Sequence, residues 1–175
     1  MHHRNAIVVL VTALNLACNT EGSEQATRET PATKKDTMEQ NDLQRISTAY
    51  AAAWSSQRPE SVAAFFAPDG SLTVNKGTPA VGAEAIAKVA EGFMSAFPDM
   101  VVQKDSLVIG ANGPEFHWTL IGTNTGPNGS GHRVRISGVE RWTMSADGLV
   151  RISDGSFDAT EYERQIAQGV DAHDQ

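Results

Sequence analysis

The sequence predicts an α+β fold: a curved antiparallel sheet from the C-terminal part of the chain, covered on one face by three N-terminal helices, with a pocket between the layers. Three observations carry this reading. From Glu115 to Phe157, segments alternate apolar and polar residues: Phe116, Trp118 and Leu120 share one parity, Val134 and Ile136 open a second segment reaching Met144, and a third follows to Phe157. Period two is the signature of half-buried strands. The breaks between them are turns: Thr125 to Gly131 holds three glycines, a proline and an asparagine, and Ala146-Asp147-Gly148 suits a short hairpin. Upstream of this meander, apolar residues recur at helical spacing instead, so the helices are segregated from the strands.

Taken from the start, the 175 residues carry a net charge of −7 and one cysteine, which fits one globular domain with one core. Phosphate binding needs clustered cations, and none cluster beyond Lys34-Lys35; a nucleic-acid partner is therefore not expected. His2, His3 and Arg4 precede an apolar run, Ala6 to Ala17, that has the layout of an export signal and is too short to span a bilayer. Leu14-Asn15-Leu16-Ala17-Cys18 is similar to the lipobox of bacterial lipoproteins, with Asn15 where leucine is usual. Residues 1–18 are thus read as a signal peptide, with Cys18 either lipidated as the mature N-terminus or, after ordinary cleavage, lost or left free. By the same resemblance the protein is exported, a periplasmic or outer-membrane lipoprotein held at the membrane by its lipid alone, and Asn19 in place of an aspartate favours the outer membrane. Residues 19–37 are nearly devoid of apolar side chains and read as a disordered tether; residues 170–175 read as a tail.

The domain spans 38–169. Asn41 and Gln44 form a capping-box start to a first helix whose Leu43, Ile46, Tyr50 and Trp54 share a face. Pro59 opens a second helix with Val62, Phe65 and Phe66 as its apolar side, ended by Pro68-Asp69-Gly70 before a short strand, Ser71 to Val74. Gly82 precedes a third, with Ile86, Val89, Ala90, Phe93 and Phe97 in line until Pro98 stops it. Met100 to Ile109 alternates as a strand and turns through Gly110 to Pro114 into the meander, and Thr160 with Glu163 suggests a capped C-terminal helix to about Gln168.

The stretches AYAAAWSSQRPESVAAFFAPDGSLTV, GAEAIAKVAEGFMSAFPDM, GTNTG and DGLVRISDGSFDATEYERQ resemble the SnoaL-like polyketide and ester cyclase branch of the NTF2-like superfamily. The resemblance covers roughly Met38 to Gly169. It implies a conical fold and a small hydrophobic ligand, ring closure or isomerisation without a cofactor, and a homodimer formed through the outer face of the sheet, where His117, Thr119 and Ile121 would lie. It also places an aspartate shortly before a terminal glutamine, here Asp158 before Gln165.

In such a pocket a carboxyl group buried against aromatic rings is raised toward neutrality and can exchange protons with a carbon acid or enol. Val150, Ile152, Asp154, Ser156 and Asp158 share a parity if the last strand is regular, which makes Asp158 the first catalytic candidate and Asp154 the second; the alternative for Asp158 is a helix cap. Glu140 shares the inward parity of Val134, Ile136 and Trp142 and is a further pocket candidate. Tyr50 resembles the helix tyrosine that donates to the oxyanion in the steroid-isomerase branch, but the base of that branch would fall near Val74. The usual histidine of GTHTG is replaced by Asn124, able to orient a carbonyl but not to take a proton, or chosen only for turn geometry. Trp54, Phe93, Trp118 and Trp142 complete the expected wall. The scattered histidines form no metal-ligand pattern. Two functions remain open: a cofactor-independent cyclase, isomerase or hydrolase for a small hydrophobic carbonyl or ester compound, and a tethered lipoprotein that binds such a molecule without turning it over.

Overall fold

The structure is a computed structural model that describes residues 31–170. The expected signal peptide, the expected lipidation site at Cys18 and the expected tail after Val170 lie outside them. The elements are α1 (Pro31–Trp54), α2 (Pro59–Ala63), β1 (Phe66–Val74), β2 (Ala80–Val81), α3 (Ala83–Ala96), β3 (Val101–Gly110), β4 (Gly113–Thr123), β5 (Arg133–Met144), β6 (Val150–Phe157) and α4 (Ala159–Gln168). The strands make one curved sheet in the order β2-β1-β6-β5-β4-β3. The expected meander, β3 to β6, is present with neighbours antiparallel. β1 adds to it in parallel with β6, so the sheet is mixed rather than wholly antiparallel.

Three boundaries differ from the sequence reading. α1 begins at Pro31, ahead of the Asn41 capping box, and so takes in the last residues read as tether; proline is at home in a first helical turn. α2 ends at Ala63, and Phe66 opens β1 instead of extending the helix. Pro68-Asp69-Gly70 then lies within β1, where pairing jumps from Phe66↔Val150 to Ser71↔Ile152. The residues read as a helix stop form a bulge, and only glycine fits at its end. A Cβ on Gly70 would stand 2.8 Å from the Ala67 carbonyl oxygen and 2.9 Å from that of Val150.

Helix α1 crosses the sheet over β3. Lys104 Nζ donates to the Gln44 carbonyl (3.0 Å) and side-chain oxygen (2.7 Å), Gln44 Nε2 donates to the Leu107 carbonyl (3.3 Å), and the Val102 N–H donates to Ser55 Oγ (2.9 Å). Between the layers, Tyr50, Phe97, Phe116 and Trp142 are buried completely or nearly so. Beyond the end of β6, α4 seals the open side of β5. Gln165 accepts from the Arg135 N–H (2.7 Å) and donates to its carbonyl (3.0 Å), and Val170 N–H donates to the Arg133 carbonyl (3.1 Å). A side-chain amide thus continues the ladder where the strand has stopped.

Candidate functional site

Registers fix which side chains meet under the helices. Across the inner face, Phe116, Glu140, Gly155 and Val74 form one row, and Trp118, Gly138 and Phe157 form the next. Trp54 of α1 and Phe93 of α3 close over them, and Val102 and Leu120 complete a cavity of about 40 Å³. Two glycines keep it open. A Cβ on Gly138 would overlap the six-membered ring of Trp118, and one on Gly155 would sit 3.4 Å from Glu140 Cγ. The lining is apolar except for Glu140.

Glu140 is 5% exposed. Tyr50 Oη donates to its Oε2 at 3.0 Å, Trp142 Nε1 at 3.2 Å and Ser153 Oγ at 2.6 Å. All three bonds converge on that one oxygen, which leaves Oε1 as the oxygen free to face the cavity. Burial raises the Glu140 pKa above the ordinary glutamate value, against the opposing pull of Ser153, Trp142 and Tyr50. Burial, then the Glu140 charge, drive the Tyr50 pKa well above that of a free phenol; Tyr50 is a neutral donor. It is also the hub of the aromatic core, edge-on to Trp142 (5.2 Å) and Phe116 (5.6 Å). The indole N–H of Trp118 is buried without a hydrogen-bond acceptor among the described residues, and that of Trp54 has none at full hydrogen-bond geometry but acts on the Tyr50 hydroxyl, opposing the rise in its pKa.

Of the side chains expected at the pocket, Trp54, Phe93, Trp118 and Glu140 line it. Tyr50 and Trp142 stand behind Glu140 and act on it rather than on the cavity. Asn124 is elsewhere: its Nδ2 donates to the Ala96 carbonyl (3.1 Å) and its Oδ1 accepts from the Ser130 N–H (2.9 Å), so its amide ties the β4–β5 loop to the end of α3.

Asp154 and Asp158 do not reach the cavity either. Pairing between β5 and β6 steps from Met144↔Val150 to Thr143↔Ile152, which leaves Arg151 as an extra residue. This bulge reverses the parity: Val150 is buried, Arg151 and Ile152 are both exposed, Ser153 is buried and Asp154 is exposed. Asp158 is exposed and caps α4, its Oδ1 accepting from the Glu161 N–H at 3.0 Å. The capping pair is therefore Asp158 and Glu161, not Thr160 and Glu163. Val74, Val102, Leu120, Gly155 and Phe157 complete the wall beyond the residues the sequence pattern points to, and the same parity reversal hides Phe157 and Gly155 from that pattern.

A curved sheet with helices folded over one face and an apolar pocket between them defines the NTF2-like, ketosteroid isomerase-like class of α+β cones. Within that class the chain belongs to the SnoaL-like domain family, whose model matches residues 47–152. Among solved structures, a candidate SnoaL-like polyketide cyclase from Jannaschia sp. CCS1 is 17% identical, with a TM-score of 0.62 over 77% of this chain and 94% of that one. A protein of ketosteroid isomerase-like fold from Catenulispora acidiphila, in complex with trimethylamine, is 16% identical, with a TM-score of 0.61 over 69% and 90%. An LEH-like epoxide hydrolase of M. tuberculosis is 13% identical, with a TM-score of 0.59 over 74% and 92%. At these identities the likeness is one of fold. Comparison with curated proteins gives no match.

Proposed function

We propose that the pocket performs acid/base chemistry on a small hydrophobic carbonyl or ester compound, with Glu140 as the proton-transferring group and no cofactor. The observation behind this is the asymmetry of the Glu140 carboxyl: three neutral donors hold Oε2, while Oε1 is left toward an apolar cavity. Burial favours the acid and the three donors favour the carboxylate, with burial the larger, so the carboxyl is raised above the ordinary glutamate value, the direction that suits a group exchanging protons with a carbon acid or enol. As the acid, Oε1 would donate to a carbonyl or enol oxygen; as the base, it would take the proton beside a carbonyl. Tyr50, Trp142 and Ser153 position the group. Proteins of similar fold include a candidate SnoaL-like polyketide cyclase and an LEH-like epoxide hydrolase, and two others were crystallised with small molecules, which supports a small-molecule pocket here.

The test does not need the natural substrate. Exchange of the α-protons of butanone in D2O, followed by NMR, should be accelerated by the wild-type domain, and Glu140→Gln should reduce the acceleration by roughly a hundred- to ten-thousand-fold. Saturable butanone binding without accelerated exchange would instead support the second reading, a non-catalytic binding protein. That reading is favoured by Asn124, which stands where the family pattern has its histidine and is committed to the loop. We further propose lipidation at Cys18 and export to the outer membrane, checked by palmitate labelling lost in Cys18→Ser, and a homodimer through the outer sheet face, checked by light scattering.

A further inference from the structure

Glu140 is buried without a counter-charge. The groups that touch its carboxyl are a phenol, an indole and a hydroxyl, and no cation among the described residues acts on it. An ionised carboxyl in such a place is expensive unless a cation accompanies it. The rest of the cavity has a particular character. Four of its nine lining residues are aromatic, Trp54, Phe93, Trp118 and Phe157, and they stand as two edge-to-face pairs. Trp54 and Phe93 cross at 81° with centroids 6.0 Å apart, and Trp118 and Phe157 cross at 67° and 6.1 Å. The two crossed pairs give the cavity beside the carboxyl a wall of aromatic as well as aliphatic surface. The negative face of an indole or benzene ring attracts an organic cation, and most strongly where water is excluded.

Size narrows the class. A cavity of about 40 Å³ has room for two to three waters at roughly 15 Å³ each, the scale of a head group with a few methyls and not of a polyamine or long-chain amine. We propose that the pocket is a receptor for a compact alkylammonium ion, its charged nitrogen at Oε1 of Glu140 and its methyl groups against Trp54, Phe93, Trp118 and Phe157. This goes beyond the acid/base reading and requires only that the pocket bind small molecules with Glu140 ionised. The ammonium ion supplies the missing counter-charge, and it would compete with a carbonyl compound for the same oxygen.

The experiment compares trimethylammonium chloride with tert-butanol, a neutral molecule of similar shape, by tryptophan fluorescence and ligand-observed NMR in physiological salt. The wild-type domain should bind trimethylammonium at least tenfold more tightly than tert-butanol. Glu140→Gln should lose that preference, and Phe157→Leu, which leaves the carboxyl intact, should weaken trimethylammonium roughly two- to fivefold more than it weakens tert-butanol. Equal affinity of the wild type for the two probes would overturn the proposal, and so would a preference that persists in Glu140→Gln, which would locate the cation on surface carboxylates. The wild-type comparison decides the matter even if a variant fails to fold. Butanone exchange without ammonium selectivity would refute this inference and leave the acid/base reading standing; ammonium selectivity without exchange would do the reverse.

Discussion

Asp158 shows how one side chain can satisfy a functional pattern and be used structurally. It precedes Gln165 at the expected spacing and belongs to an acid-bearing strand end, yet its carboxylate accepts the Glu161 N–H at the start of α4. Asparagine caps as well as aspartate, so Asp158→Asn should leave both the urea midpoint and butanone exchange unchanged. Asp158→Ala should cost about 1 kcal/mol of stability without affecting exchange per folded molecule. A large loss of exchange in Asp158→Asn would return the chemistry to this residue. Part of the site was legible at this scale: Glu140, Trp54, Phe93 and Trp118 follow from parity and helical spacing on elements that are regular where they matter. The preference for Asp154 and Asp158 failed because one extra residue, Arg151, reverses every later side chain in β6. Neither composition nor turn chemistry marks such a bulge, and a period-two reading crosses it unaware.

Among the elements, those most legible are bounded by chemistry the backbone cannot evade. Pro98 lies just beyond α3, and the four strands of the meander have the alternation and turns that define them. Least legible was β1, since Pro68-Asp69-Gly70 is equally good as a helix stop and as a bulge, and only pairing with β6 decides. Helix α4 adds a function that the sequence pattern did not reveal. Gln165, 5% exposed, occupies both backbone groups of Arg135 beyond the end of β6. Gln165→Ala would strip the part-buried N–H and C=O of Arg135 of their partners, a change worth about 0.5–1.5 kcal/mol per hydrogen bond. The expected result is a lower urea midpoint together with faster hydrogen exchange at the Arg135 amide. Unchanged protection of that amide would mean that the glutamine does not seal the sheet.

For the molecule as a whole, Glu140 and the surface carboxylates pull stability in opposite directions with pH. Because burial raises the Glu140 pKa, the folded state holds a proton there that the unfolded chain has released between the ordinary glutamate value and the raised one. Stability from this group is therefore complete below the ordinary value and declines as pH rises through the raised one. Asp99 and Glu161 act oppositely. At Asp99 slight burial is outweighed by hydrogen bonds from Thr123, and Glu161 is held at about 2 by Arg164 and Gln165. For these two the unfolded chain binds the extra proton, so their contribution is present above the ordinary carboxylate values and is lost on acidification, for Glu161 toward about 2. Lowering the pH also relieves the self-repulsion of a chain with net charge −7 down to its isoelectric point near 5.1 and builds positive repulsion below it, in any variant alike. The informative quantity is thus the difference between the wild type and Glu140→Gln in urea midpoint, measured from pH 8 down to pH 3. That difference should shift in favour of the wild type as pH falls toward the ordinary glutamate value and then level off, while the acid-side loss from Asp99 and Glu161 appears equally in both proteins. A difference that does not vary with pH would mean that Glu140 titrates alike in folded and unfolded chains, and would remove the buried, proton-poised carboxyl on which the acid/base reading rests.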